Sequence, residues 1–582
     1  MVGLLDDIPL LANLSPAARR EVEAAVQWYS LPGGWPLFQE GDVADRLWFV
    51  RSGSLGAFRR GPDGRTSLLG HIRAGEPVGE MALVAGEPHT ASVHALRDSE
   101  LLAMNRPTFD RMVTKHPALM QALAKTMLTR ARQNAGPRSA SSNPRVYALL
   151  STSPTIDLRQ RALELRERLI ALGKSCVIVG EEAVENTSQW FDDIERWNDV
   201  VLLITPIGDS PWCRLVLRQA DRIWVLARSD ARPSAPLLPE DPSPARQFRL
   251  VDVVLLHHFD TGSPSERTAA SVDEWLRAAD AVRVFHWRDV RKEDCGRLAR
   301  TLCGLSVGLV LGGGGARAFA HVGAIRAIHE FGLPIDFVGG TSMGGVIGAS
   351  LAMGWSDDEI ENRIWKAFVE SNPLSDYVLP VIAMTRGQRV NERIKEHFGE
   401  TVIEDMALPF FCVSTNLSAG TIRIHRTGAL RKALRATISL PGILPPVVDG
   451  QEVLVDGAVM NNFPADVMQA AHRGPSIGID VTHQRGLNAK DFIDPPGFFR
   501  WVISHGFSAA PPIAGLLMRA ATVGVDLSQM RKKVDVLIMP ELSGVDLRDW
   551  KAYDTAVEAG YRATVEALRD LTGPLGVLAR IH

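Results

Sequence analysis

Ser342 sits in Gly340-Thr341-Ser342-Met343-Gly344, a G-x-S-x-G arrangement that fits a nucleophile carried on a sharp strand-to-helix turn. Glycines at both ends remove the β-carbons that would clash in such a turn, and they leave the hydroxyl exposed at its tip. A second group, Gly312-Gly313-Gly314-Gly315-Ala316-Arg317, offers bare backbone N–H groups where a helix begins. Such a place can bind a phosphate or hold the oxyanion of an acyl transfer. The same residues fit a dinucleotide fingerprint, Gly313-x-Gly315-x-x-Ala318 with Asp336 downstream. A serine elbow at the next strand is not expected in a dinucleotide fold, so the pair favours hydrolysis. The third group is Asp456-Gly457-Ala458, whose carboxylate could take the serine proton if the chain brings the two together.

The elements around these groups support that placement. Val307–Leu311 reads as a buried strand running into the glycine loop, and Ala318–Phe331 as the helix after it, ended by Gly332 and Pro334. Ile335–Val338 reads as the strand before the elbow, and Gly344, Gly345, Gly348 and Ala349 as the thin face of the helix behind it. Val447–Val455 reads as a hairpin turning at Asp449-Gly450, with Asp456 at the end of its second strand.

Together the three groups resemble the patatin-like phospholipase family, and the likeness covers residues 305–480. Its flanks share it, with Ser439-Leu440-Pro441-Gly442 before the hairpin and Asn461-Asn462-Phe463-Pro464 after it. The resemblance implies a Ser–Asp dyad. Ser342 would attack a carboxylic ester, Asp456 would accept its proton, and Gly313, Gly314 and Gly315 would hold the oxyanion. Arg317 would stabilise the loop or contact a head group. Ala318 stands where the family usually has glycine. The competing chemistry is a Ser–Asp–His triad, for which His472 and His483 are the candidates. No metal or cofactor is implied. From another class, a catalytically inactive lipid- or nucleotide-sensing regulatory protein remains open, although the intact Ser342 and Asp456 argue against it.

The whole chain has 582 residues, 46% hydrophobic and 23% charged, with a net charge of −3. Its length calls for three or four domains, and its charge gives no drive toward nucleic acid. Cys176, Cys213, Cys295, Cys303 and Cys412 lack metal spacing and suit a reducing compartment. No leader peptide or membrane-spanning helix is evident, so the expected location is cytoplasmic, with peripheral contact at the inner membrane face compatible. Trp501–Met518 is apolar and free of charged residues but is broken by Pro511-Pro512; it reads as a core or loop segment, with a lipid-touching flap as the alternative.

Residues 1–134 read as a β-roll with helices. Ser15-Pro16 starts a helix, and Pro36–Phe38, Leu47–Val50, Leu55–Phe58 and Ser92–His94 read as short strands. Phe38-Gln39-Glu40-Gly41-Asp42, Ser52-Gly53, Gly79-Glu80-Met81-Ala82-Leu83 and Pro88-His89-Thr90-Ala91-Ser92 resemble cyclic-nucleotide-binding domains. That likeness puts Gly79, Glu80, His89 and Thr90 around a nucleotide pocket, with Gly79-Glu80 at the ribose. His89 stands where the family has a phosphate-clamping arginine. Arginine offers a permanent forked charge, whereas histidine is mostly neutral at pH 7, so a cyclic nucleotide is a doubtful partner. Asn134–Asn143 reads as a linker.

Residues 146–300 alternate helix and strand, the pattern of a doubly wound α/β domain, and contain no phosphate loop. The expected architecture is therefore multidomain: β-roll, α/β middle domain, patatin-like α/β hydrolase domain, then a C-terminal extension (481–582) packing on the hydrolase. This order resembles the neuropathy target esterase group, which implies action on (lyso)phospholipids or related lipid esters.

Overall fold

The computed structural model describes residues 8, 15–60, 66–135, 144–234, 236–238, 250–258, 271–378, 381–472, 474–482 and 527–581. His483, most of the 134–143 linker and all of Trp501–Met518 lie outside these residues. The chain forms two compact units. The first comprises Met1–Arg228, Pro233–Val254 and Glu274–Val282, and the second the remainder. The sequence-based boundaries are finer than this division, which cuts through the strand Leu250–His257.

In the first unit, Ser15 caps the helix Pro16–Ala25 by accepting the Ala18 N–H at 3.2 Å. Two antiparallel four-stranded sheets follow. One runs Gln27–Leu31, Ser99–Asn105, Arg46–Ser52, Pro77–Val78; the other runs Pro36–Phe38, Ser92–Ala95, Ser54–Arg60, Thr66–Arg73. Alternating apolar residues (Val50, Leu55, Val93 and Leu101) fill the space they enclose. The helices Arg106–Lys115 and Pro117–Ala135 add Met112 and Leu123 to a second cluster with Val22, Phe49 and Leu102. Farther along, Cys176–Val179, Val200–Pro206, Val146–Ser151 and Arg222–Arg228 lie side by side and parallel in that order. The chain thus winds to both sides of Val146–Ser151. Arg97 ties the β-roll to this sheet region. Buried, it bonds Glu195 at 2.9 and 3.0 Å and lies 3.7 Å from Asp221, since a guanidinium withdrawn from water needs carboxylate partners.

The second unit is built on an eight-stranded sheet. Its order is Val447–Asp449, Glu452–Asp456, Phe410–Asn416, Phe337–Thr341, Gly308–Leu311, Ser476–Ile479, Val536–Ile538, with Thr421–His425 paired to Phe410–Asn416. The two central strands are parallel, with Leu311 opposite Gly340, so the glycine loop and the elbow leave the sheet at the same edge. That carboxyl edge is where open α/β sheets bind ligands. Glu452–Asp456 runs antiparallel to Phe410–Asn416 and sets Asp456 opposite Ser414, bringing it to that edge. The loop enters a short 3-10 turn, Gly315–Phe319, before the helix Ala320–Glu330; the expected single helix from Ala318 is thus split. Among the described residues of the C-terminal extension, Val536–Ile538 adds a strand and Tyr553–Leu568 crosses Ala320–Glu330. The crossing is tight enough that a β-carbon on Gly323 would lie 1.9 Å from the Val557 carbonyl. Among the described residues no helix is long and apolar enough to cross a membrane.

Candidate active site

Thr341 ends the central strand and Met343 begins the helix Met343–Ala352, so Ser342 forms the whole turn. Its φ of +56° with ψ of −132° is rare for a residue with a side chain. Backbone strain of this kind, of order 1–3 kcal/mol, holds the hydroxyl out from the turn. The close approach behind it is set by Gly344, where a β-carbon would meet the Leu311 and Gly312 carbonyls at 2.5 Å. The Ser342 N–H donates to Thr437 Oγ1 at 2.9 Å, and the Thr437 hydroxyl donates to the Val413 carbonyl. The positive end of the helix Met343–Ala352 therefore meets the serine directly.

Ser342 Oγ donates to Asp456 Oδ2 at 2.7 Å. The other carboxylate oxygen accepts the Ala458 N–H at 2.8 Å, and the Asp456 N–H donates to Ser439 O at 2.9 Å. Asp456 is fully buried and Ser342 is 8% exposed. Burial disfavours the carboxylate and pushes the Asp456 pKa up to about 7, against the smaller pull of the bonds from Ala458 and Ser342. The hydroxyl thus faces a carboxyl group far more basic than one in water.

The glycine loop wraps the other side of the serine. A β-carbon on Gly313 would stand 2.9 Å from Ser342 Cβ. The Gly313 N–H itself donates to Asn462 O at 3.1 Å, while Asn462 Nδ2 donates back to Gly313 O at 3.0 Å. This departs from the expectation that all three glycine N–H groups face an oxyanion, because the Asn462 backbone already occupies that of Gly313. No partner for the N–H of Gly314 or Gly315 is present among the described residues. His321, fully buried, donates from Nε2 to Gly312 O at 2.8 Å and fixes the start of the loop. Arg317 is 7% exposed, and its Nε donates to Val545 O at 2.7 Å. It therefore holds the loop to the C-terminal segment, and its burial leaves it little access to a head group. Ala318 is fully buried in the 3-10 turn, where its methyl group is accommodated.

His472 is not brought to this pair. It stacks on Phe337 with centroids 5.2 Å apart and crowds Gly308, so it lies at the opposite ends of the strands from the elbow and glycine loop. Thr437, Asn462 and His321 all shape the site and were not singled out as site residues. Asn462 lies in a noted motif, but no spacing signal marks the other two.

In the first unit, Gly79 (φ +80°) precedes the short helix Glu80–Ala85, and Glu80 and His89 are buried. The His89 ring stacks flat on Phe38, centroids 3.6 Å apart, and sits 3.2 Å from where a Gly79 β-carbon would be. Burial lowers its pKa against the opposing pull of Asp42 and Asp45, which keeps the ring neutral. Thr90 is exposed, and its carbonyl accepts from Arg59 at 3.3 and 3.4 Å.

Residues 309–468 match the family model described as Patatin-like phospholipase, and residues 29–116 the one described as Cyclic nucleotide-binding domain. The class is thus a patatin-like lipid ester hydrolase preceded by a cyclic-nucleotide-binding-type β-roll. A protein of Mycobacterium tuberculosis (strain ATCC 25618 / H37Rv), described as an uncharacterized NTE family protein, is 32% identical over 97% of this chain and 96% of its own length. The chain belongs to the NTE family. Patatin-like phospholipase domain-containing protein 6 of Homo sapiens is 29% identical over 81% of this chain. Lysophospholipase NTE1 of Coccidioides immitis (strain RS) is 26% identical over 97% of it. The chain spans only 39% and 42% of those two relatives. A solved N-terminal domain of a transcriptional regulator from Streptomyces coelicolor A3(2) is 30% identical over 24% of this chain and 99% of that domain, with a TM-score of 0.20.

Proposed function

We propose that the chain cleaves carboxylic esters of phospholipids or lysophospholipids through a Ser342–Asp456 dyad. The observation that carries this reading is the buried 2.7 Å hydrogen bond from Ser342 Oγ to Asp456 Oδ2. A serine hydroxyl in water is a weak nucleophile, and a neighbouring base within hydrogen-bond reach activates it. Asp456 accepts the proton as Oγ attacks the ester carbonyl. The N–H groups of Gly314 and Gly315 receive the charge that develops on the carbonyl oxygen. The leaving alcohol takes the proton back from Asp456, giving an acyl-serine. Water, deprotonated by the same carboxylate, then releases the fatty acid. The lysophospholipase and phospholipase names of the relatives support this substrate class.

The experiment is a panel of phospholipid and lysophospholipid esters turned over by the full chain and three variants. Ser342→Ala and Asp456→Asn are expected to lose at least about 10²–10⁴-fold in rate, the range for losing a positioned proton acceptor. His472→Ala is expected to keep most activity; its loss, with the fold intact, would favour the triad. We read the middle segment as a doubly wound α/β domain without a catalytic role. The proposed compartment is the cytoplasm, supported by five scattered cysteines with no C-x-x-C spacing and testable by cell fractionation.

A further inference from the structure

Val378-Leu379-Pro380-Val381-Ile382-Ala383-Met384 is an unbroken run of seven apolar residues. A soluble surface does not favour such a run unless it has a use. Its described ends close on each other: the Val378 N–H donates to Met384 O at 2.9 Å and the Arg386 N–H to Asp376 O at 3.0 Å. Between them, Val381 is 94% exposed and Ile382 71% exposed.

The base of this projection is attached to the active site. Met384 and Thr385 donate their N–H groups to Gly442 O and Ile443 O, at 2.9 and 3.2 Å, and Thr385 Oγ1 also donates to Ile443 O at 2.7 Å. The segment receiving those bonds begins with Thr437, which holds the Ser342 backbone, and Ser439, which holds that of Asp456. Seven residues of chain, Thr437 to Ile443, thus connect the catalytic pair to the foot of the projection. Met460, following the Asp456-Gly457 turn, is a further exposed apolar side chain, at 39%.

Charge flanks the apolar tip. Arg386 and Arg389 are exposed at its foot, where the helix Gln388–Phe398 begins. Asp376 nearby uses its carboxylate to accept the Gln388 N–H at 2.8 Å and the Arg389 N–H at 3.4 Å. Arg389 donates from Nη1 to Ser375 Oγ, and no ion pair of Arg386 or Arg389 is found among the described residues, although the chain carries a net charge of −3. Aliphatic side chains standing clear of the surface beside cationic side chains match the layering of a bilayer face, with acyl chains beneath anionic head groups.

We propose that Val381 and Ile382 form an interfacial finger that enters an anionic lipid bilayer, with Arg386 and Arg389 at the head groups, so that lipid reaches Ser342 from the membrane. This rests on the lipid-ester reading of the site, but its test does not use turnover. Full-length protein would be floated with vesicles of phosphatidylcholine alone and of phosphatidylcholine with 30 mol% phosphatidylglycerol. Binding is expected to the anionic vesicles and to weaken with salt. Val381→Asp with Ile382→Asp should weaken it at least tenfold without a change in melting temperature. Arg386→Ala with Arg389→Ala should remove the preference for phosphatidylglycerol, and Val381→Trp should strengthen binding. Wild type that does not float, or an aspartate variant that floats equally well, would overturn the proposal. So would an aspartate variant that dissociates a dimer while its vesicle binding is unchanged, since the patch would then join two copies of the chain. A catalytically dead protein that floats normally would separate failure of the dyad from failure of the finger.

Discussion

Asp456 combines two properties that oppose each other. It is buried deeply enough for its pKa to stand near 7, and it accepts hydrogen bonds from Ser342 and Ala458 that favour the charged form. As the proposed proton acceptor it would act only when ionised, so kcat/KM should rise about tenfold per pH unit below neutrality and level off above about 7, as a pH–rate profile with a soluble ester would show. The stability contribution has the opposite sense. The folded pKa lies above the unfolded value of 3.8, so the native state holds a proton that the unfolded state has released, and stability falls as pH rises from about 4 to about 7. Asp456→Asn removes that penalty. It should melt at a higher temperature than wild type at pH 8 while being inactive, and an unchanged or lower melting temperature would argue against burial as the cause of the shift.

At the scale of elements, the site is the meeting of two parallel strand ends with an antiparallel hairpin. Gly457 makes the meeting possible, because a β-carbon there would lie 2.2 Å from Val413 O and 2.8 Å from Thr341 Cγ2. Gly457→Ala should therefore push Asp456 away from Ser342. We expect a stability loss of about 1–3 kcal/mol by denaturant titration, together with a fall in kcat that exceeds any change in KM. Much of this arrangement was legible in the sequence, because glycines beside a serine or an aspartate report a steric demand directly. The hairpin over Val447–Val455 has its turn where Asp449-Gly450 suggested, and Pro36–Phe38 forms one of the short strands read in the β-roll. Phe410–Asn416 was not read, although it is buried throughout, since its apolar run stops at Val413 and the following Ser414-Thr415-Asn416 carries a loop-like composition. Thr437 and the Gly313–Asn462 exchange were illegible for another reason. They are hydrogen bonds between distant positions, 95 and 149 residues apart, and no local pattern encodes them.

At the scale of the whole molecule, a hydrolase domain shares its chain with a cyclic-nucleotide-binding-type β-roll, in which the resemblance would place His89 where an arginine clamps the phosphate. In place of a forked, permanently charged arginine, His89 presents a neutral ring stacked on Phe38. A ring held that way has little to offer a cyclic phosphate. The β-roll is moreover fixed within its own unit by the buried Arg97–Glu195 pair. We therefore read it as a structural or docking module. Calorimetry of the full chain with cyclic AMP and cyclic GMP should show no binding tighter than millimolar; micromolar binding would restore the sensor reading. His89→Arg should not create tight binding unless Phe38 also moves, because Phe38 covers the face that the new side chain would need.

The proposed chemistry depends most on the proton passing from Ser342 to Asp456 with no third residue between them. Its most direct test is the rate at which a chromogenic ester acylates the enzyme in a single turnover, with the modified peptide located by mass spectrometry. The prediction is an acyl group on Ser342 in wild type and in His472→Ala at similar rates, and acylation slowed by about 10²–10⁴-fold in Asp456→Asn. An acyl group on another residue, or Asp456→Asn acylating at the wild-type rate, would contradict it.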